Sequence, residues 1–190
     1  MKVAVLFNGP PRSGKDTAAD YILQHAPFGH KLKFSDTLKS GTHALYGLDT
    51  YVNKYEDCKE QPHEDFLGLT PRQAYIDVSE KFMKPQHGKD VFGRILAQRI
   101  KRSDANLILV PDSGFLDEAL PVIDLLGIEN VLLLRIKRGG TSFANDSRSY
   151  WPAPFDLQEH DVWNFMLQDF QTQVLGLVCR WLDWRAGHVE

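Results

Sequence analysis

The chain has 190 residues, enough for one domain with a substantial core. It is 43% hydrophobic and 25% charged, the balance of a globular protein rather than a disordered one. The 22 Lys and Arg stand against 25 Asp and Glu, which excludes a global cationic field for holding nucleic acid but leaves room for a local cluster around a phosphorylated small molecule.

In chain order, Lys2–Asn8 reads as a short buried strand, too brief for a signal-peptide core. A helix over Gly14–His25 follows, with Ala18, Ala19, Ile22 and Leu23 on one face. Lys31–Ser35 reads as a second strand, leading into a helix near Asp36–Leu45. Residues 47–69 are polar and irregular, part of a mobile segment expected over about 47–90. Thr70-Pro71 has the form of a helix N-cap followed by proline at the first position, and that helix is expected to stop near Lys84, before Pro85 and Gly88. Another helix spans about Asp90–Arg102.

Asn106–Val110 is a third strand whose run of large apolar residues suits burial on both faces. A helix over Leu116–Leu126 ends at Gly127, and Val131–Ile136 is a fourth buried strand. Residues 137–155 are rich in Gly, Ser, Asn and Pro and read as a lid-like loop. Asp161–Asn164 is a short strand or a helix start, and a last helix over Phe165–Arg185 carries Phe170, Val174, Leu177, Val178 and Trp181 on one stripe. Strands alternating with helices indicate a single α/β domain over 1–190 with a largely parallel sheet. No stretch approaches the roughly 20 apolar residues of a membrane span. Cys58 and Cys179 have no CxxC or metal spacing and read as free thiols of a reducing cytoplasm. The seven histidines form no metal-ligand pattern.

The chemistry is concentrated at residues 9–17, Gly-Pro-Pro-Arg-Ser-Gly-Lys-Asp-Thr. Gly9 and Gly14-Lys15 give the GxxxxGK core between a strand and a helix, the context in which such a loop cradles phosphates. Arg12, Ser13, Gly14, Lys15, Asp16 and Thr17 are its phosphate-binding residues: the backbone N–H groups and the helix N-terminus attract anions, and Lys15 adds a full charge. Asp16 stands where a Ser or Thr usually meets Mg²⁺, with Thr17 next. A carboxylate is a good hard-metal ligand, so Asp16 binds Mg²⁺ directly or through water, or leaves it to Thr17. Asp112, at the end of the third strand, is a further acidic candidate for the metal or the acceptor. Asp117 and Glu118 read as solvated helix residues. Asn53-Lys54-Tyr55-Glu56 does not match a GTPase base-reading motif, which leaves a small kinase.

Ser13-Gly14-Lys15-Asp16-Thr17-Ala18-Ala19-Asp20 resembles the SGKDT-x-AD signature of phage-type deoxynucleoside monophosphate kinases. Phe34-Ser35-Asp36-Thr37-Leu38-Lys39, Thr70-Pro71-Arg72-Gln73, Gly88-Lys89-Asp90-Val91-Phe92 and Val110-Pro111-Asp112-Ser113-Gly114-Phe115 are similar to further segments of that family, in the same order. The resemblance spans residues 3 to about 165. Many relatives carry Asp-x-Arg after strand three, whereas this chain has Asp112-Ser113-Gly114, and Thr37 stands where proline is common.

The resemblance implies a three-layer P-loop NTPase fold with a five-stranded, mainly parallel sheet. It implies ATP-dependent phosphorylation of a deoxynucleoside monophosphate with Mg²⁺. It places Asp36, Lys39, Arg72, Lys89, Asp90 and Asp112 on the acceptor side, and Lys15, Arg138 and Arg148 at the transferring group. The expected partners are small nucleotides, with no nucleic acid and no membrane, in a cytoplasmic protein (host cytoplasm if phage-encoded) that forms a monomer or a homodimer. Two other readings stay open: another phosphorylated acceptor such as dephospho-coenzyme A, and a nucleotide-binding module without turnover.

Overall fold

The structure is a computed structural model and describes residues 1–144, 146–154 and 156–188, the last of these by its backbone. Residues 145 and 155 of the expected lid loop lie outside the described residues. Five strands form one sheet, β1 (Val3–Asn8), β2 (Gly29–Lys31), β3 (Leu107–Val110), β4 (Val131–Lys137) and β5 (Gln158–Trp163). Their order is β2-β3-β1-β4-β5, and every neighbouring pair is parallel. The helices are α1 (Lys15–His25), α2 (Phe34–Leu45), α3 (Pro71–Asp77), α4 (Lys84–His87), α5 (Val91–Arg102), α6 (Leu116–Leu126) and α7 (Leu167–His188).

Successive side chains of a strand point to opposite faces, and here both faces are covered. Ala4, Leu6, Ile108, Val110, Val131 and Leu133 meet Phe92, Leu96 and Ile100 of α5 and Ala119, Val122 and Ile123 of α6. Val5, Phe7, Leu109, Leu132 and Leu134 meet Ala18 and Ile22 of α1 and Phe170, Val174, Val178 and Trp181 of α7. This is the three-layer α/β arrangement that the alternating pattern indicates. Each fully buried side chain of this size contributes roughly 1.5–3 kcal/mol.

Three boundaries differ from the sequence reading. The second strand is Gly29–Lys31, not Lys31–Ser35, and α2 already begins at Phe34. The cause is Asp112 at the end of β3, whose carboxylate accepts bonds from Phe34 N and Ser35 N (both 3.0 Å) and so starts the helix there. The fifth strand is longer than the sequence suggests because its polar residues pair across the sheet edge: Arg135 and Lys137 of β4 bind Glu159 and Asp161. Finally, Pro85 does not end the helix that Thr70 caps. The helix continues from α3 through a π-helical stretch, Val78–Met83, into α4, and stops at Gly88, where φ is +91°. Pro85 falls where the hydrogen-bond step shortens again, a place that tolerates a missing N–H.

The irregular segment after α2 has a small core of its own. Tyr55, Phe66 and Ala74 are buried together, with the Tyr55 and Phe66 rings edge to face at 4.9 Å. His43 of α2 joins them, its Nε2 paired with the Tyr75 hydroxyl at 2.8 Å and its Nδ1 with Thr50 Oγ1 at 3.1 Å. Burial pushes the His43 pKa down, so the ring is a neutral structural group. Among the described residues, no helix is long and apolar enough to cross a membrane.

Helices α5 and α6 cross at Gly93, where an added Cβ would collide with the main chain of Glu118. Gly93→Ala is therefore expected to destabilise the fold by about 1–3 kcal/mol despite the better helix propensity of alanine. Urea unfolding measures this, with an unchanged midpoint as the contrary result.

Candidate functional site

The loop between β1 and α1 turns through two left-handed residues, Arg12 (φ +63°) and Gly14 (φ +106°). A side chain at Gly9 would meet the Ile136 carbonyl oxygen at 2.6 Å, and one at Gly14 would meet Asn164 Nδ2 at 2.5 Å. Both glycines are thus required by close approach, and Gly14 also by its φ. Ser13 is buried, and Asn164 Nδ2 donates to its carbonyl at 2.9 Å from the end of β5. On the outer rim Arg138 Nη1 donates to the Arg12 carbonyl at 3.1 Å. The Lys15 ammonium lies back over the loop, donating to the Gly9 and Pro10 carbonyls at 2.7 Å each. Burial, followed by the nearby Arg148 charge, lowers the Lys15 pKa to about 8.

Most of the other expected cations and acids are engaged, each with a residue outside the candidate set. Asp16, in the first turn of α1, pairs with Lys33 at 2.6 Å and with Lys31 at 3.7 Å. Asp36 accepts from Lys33 N and pairs with Arg99, both at 3.2 Å, so its carboxylate fixes the start of α2. Lys39 pairs with Glu56, which also takes Lys59 at 3.1 Å. Burial alone would raise the Glu56 pKa, but the two lysines outweigh it and hold it down to about 2. Arg72 pairs with Glu60 at 2.6 Å. Lys89 is exposed and Asp90 pairs with Arg94 one turn along α5 at 3.0 Å; neither makes a hydrogen bond or ion pair with another candidate among the described residues.

Arg148 reaches the site from the lid loop and lies over Gly114, where an added Cβ would strike its aliphatic stem. A side chain at Gly114 is thus excluded by the stem of Arg148, which comes from 34 positions further along the chain. The loop around it is pinned by Asn8 Nδ2, which donates to the Ser113 and Ser149 carbonyls at 2.8 and 3.0 Å, and by Trp151 Nε1, which donates to Ser113 at 3.2 Å. Asp146 grips Arg148 through both oxygens (Nε–Oδ1 2.8 Å, Nη2–Oδ2 2.5 Å). The bond from Arg148 holds the Asp146 pKa down, with a further contribution from the Arg72 charge. Asp146 is also among the acids whose field supports the charge on Lys15. One carboxylate therefore lies within the fields of Lys15, Arg72 and Arg148.

Asp112 uses both oxygens on α2, accepting from Ser35 Oγ (2.8 Å) as well as from the two backbone N–H groups. Burial raises its pKa. No cluster of three or more His, Cys, Asp or Glu that would hold a metal by protein groups alone occurs among the described residues. The donor set suits Mg²⁺ that arrives on nucleotide phosphates: Asp16 and Thr17, both exposed in the first turn of α1, offer one carboxylate and one hydroxyl.

Several residues of the site were not singled out in the sequence. Asn164 follows a strand whose extent the sequence did not show; Lys33 and Asp146 stand in polar stretches without a motif. Glu118, read as solvated, is instead buried at 6% exposure. Asp117 beside it is exposed, as expected.

No family model matches the chain. A protein of Acanthamoeba polyphaga mimivirus named "Putative deoxynucleotide monophosphate kinase" is 25% identical over 192 residues, covering 93% of this chain and 96% of that protein. Among solved structures, an unliganded sugar kinase from Janibacter sp. HTCC2649 superposes with a TM-score of 0.48 at 12% identity, over 96% of this chain and 95% of that one.

A lysine with a pKa of about 8 is charged below that pH, and an anionic ligand needs the charge. Affinity for a polyphosphate probe is therefore expected to fall by up to about tenfold per unit as pH rises above 8. Lys15→Met should bind weakly and without that slope. Titration calorimetry between pH 7 and 9.5 checks this, and parallel profiles for the two proteins would contradict it.

Proposed function

We propose that the chain transfers the γ-phosphoryl group of ATP to a deoxynucleoside monophosphate. The observation that carries this reading is the geometry of the loop itself, a left-handed turn at Arg12 and Gly14 that leads into α1 with Lys15 lying over it. Arg148, gripped by Asp146, supplies a second cation whose charge is felt by Lys15, and Asp146 holds the place of an anion until a ligand arrives. The ordered motifs and the name of the mimiviral relative support a nucleoside monophosphate as acceptor.

The acceptor phosphate has a second pKa of about 6, so at neutral pH it is largely dianionic and needs no general base. One of its oxygens forms the new bond to the γ-phosphorus while the bond to the β-phosphate bridging oxygen breaks, releasing ADP. The protein aligns the two and neutralises charge. Lys15 leaves the Gly9 and Pro10 carbonyls for the donor phosphates, and the N-terminus of α1 adds partial positive charge. Arg148 leaves Asp146 for the acceptor phosphate, and Arg72 leaves Glu60. Asp16 and Thr17 would hold Mg²⁺, which would supply charge neutralisation at the donor phosphates.

Coupled ADP release across the deoxynucleoside monophosphates tests the reading: turnover must depend on an added monophosphate, and a panel that gives only the ATPase background overturns it. Lys15→Ala should remove turnover. Asp146→Asn, which frees Arg148 from a competing carboxylate, is expected to lower the acceptor KM roughly fivefold, the worth of about 1 kcal/mol. A raised KM would instead make Asp146 an aid to binding.

A further inference from the structure

Residues 137–155 read in the sequence as a lid, and a lid would carry Arg148 to the site only on closing. The arm that follows Arg148 is instead fastened near the ends of three strands. The Ser149 carbonyl accepts from Asn8 Nδ2, at the end of β1, at 3.0 Å. The Tyr150 hydroxyl donates to the Ile136 carbonyl of β4 at 2.9 Å. Trp151 Nε1 donates at 3.2 Å to the Ser113 carbonyl, just past β3, and Asn8 Nδ2 donates to the same oxygen at 2.8 Å. The Trp151 side chain is 3% exposed and belongs to the apolar cluster on the α5 and α6 face of the sheet.

Asn8 is the common member of these contacts. It is fully buried, and its amide donates to one carbonyl on each of two other segments. Every point it touches is one residue from a part of the site. Asn8 itself precedes Gly9 of the phosphate loop, Ser113 precedes Gly114, on which the Arg148 stem lies, and Ser149 follows Arg148. Asn8 Oδ1 is buried without a hydrogen-bond partner among the described residues. A buried acceptor left unpaired costs stability, and an apolar side chain would fill the space without that cost. The position therefore holds an amide for the two bonds it donates, and those bonds fix the main chain beside Arg148 against the phosphate loop.

We propose that Arg148 is a fixed group rather than one delivered by a closing lid, and that Asn8 is the positioning residue that clamps it beside the phosphate loop. The monophosphate-kinase reading above enters only through the identity of the anion that Arg148 takes. The main chain is clamped by Asn8, the stem is seated on Gly114, and the guanidinium is gripped by Asp146. An incoming phosphate then replaces one carboxylate at an arginine that is already ordered, so little conformational freedom is lost on binding. The clamp serves the acceptor side. The turn that would hold the donor has ties of its own, from Asn164, Arg138 and Lys15.

The first test needs no variant that weakens the fold. The Trp151 indole proton, identified in NMR spectra by its absence from Trp151→Phe, is followed by hydrogen exchange in the unliganded protein. A clamped arm protects it by roughly 100-fold or more against a free indole, and Asn8→Ala releases that protection by at least about tenfold. Free exchange in the wild type, or protection unchanged in Asn8→Ala, overturns the clamp. Calorimetry then compares ADP with dAMP, dCMP, dGMP and dTMP on Asn8→Ala, Arg148→Ala and the double variant. Asn8→Ala should bind monophosphates roughly 3- to 10-fold more weakly and ADP within about twofold of wild type. The double variant should bind monophosphates no worse than Arg148→Ala, because Asn8 acts through that arginine. Gly114→Ala displaces the Arg148 stem and leaves the Asn8 bonds in place, so it should weaken monophosphates and keep the indole protected. Equal losses for ADP and monophosphates, or losses that add in the double variant, overturn the positioning role. If no monophosphate binds the wild type while the indole is protected and Asn8→Ala releases it, the clamp stands and the kinase reading is overturned instead.

Discussion

The left-handed backbone at Arg12 and Gly14 is the constraint on which the site depends. Arg12 has a Cβ, and a non-glycine residue at φ +63° is uncommon, so the surroundings must hold the bend in place. They do so from three sides. Asn164 holds the Ser13 carbonyl, Arg138 holds the Arg12 carbonyl, and Lys15 ties down those of Gly9 and Pro10. These bonds account for the carbonyls of Gly9, Pro10, Arg12 and Ser13 and hold the turn in one conformation. The Ser13 hydroxyl is buried without a partner among the described residues, so even the supporting side chains are not fully satisfied in the unliganded loop.

Around this loop the positive charges are stored as ion pairs. Lys33 with Asp16, Lys39 with Glu56, Arg72 with Glu60 and Arg148 with Asp146 each balance a cation by a carboxylate of the same chain. The chain as a whole carries a formal charge of −3. An anionic ligand that took these cations would do so by exchange with the carboxylates now paired to them.

The phosphate loop, β1, β3 and β4 were legible because their signals are local: a glycine spacing, and unbroken apolar runs that both faces of a covered sheet demand. The residues that decide the rest act across the chain. Asp112 lies 78 residues from Phe34, yet it sets where α2 starts and hence where β2 ends. The edge strand β5 has one buried residue, Val162, and is held by cross-strand charge pairs, so it offers no alternating pattern to read. Glu118 looked like an ordinary acidic residue in a first helical turn. Its burial comes from the crossing at Gly93, and a glycine within α5 was the single hint of a close approach. Arg148 lies over Gly114, 34 positions before it, and only the folded chain shows that the two positions meet.

The end of β5 and the start of α7 form the back wall of the loop. Asn164 and the Phe170 ring, 3.3 Å from where a Gly14 side chain would begin, come from the last quarter of the sequence and support a motif at its beginning. The loop is thus not a portable cassette. A fragment holding β1, the loop and α1 would keep every residue of the motif and lose the Asn164 amide that donates to the Ser13 carbonyl. Apolar positions such as Val174 and Trp181, which seat α7 on the sheet together with Phe170, therefore reach the loop at Gly14 through that ring.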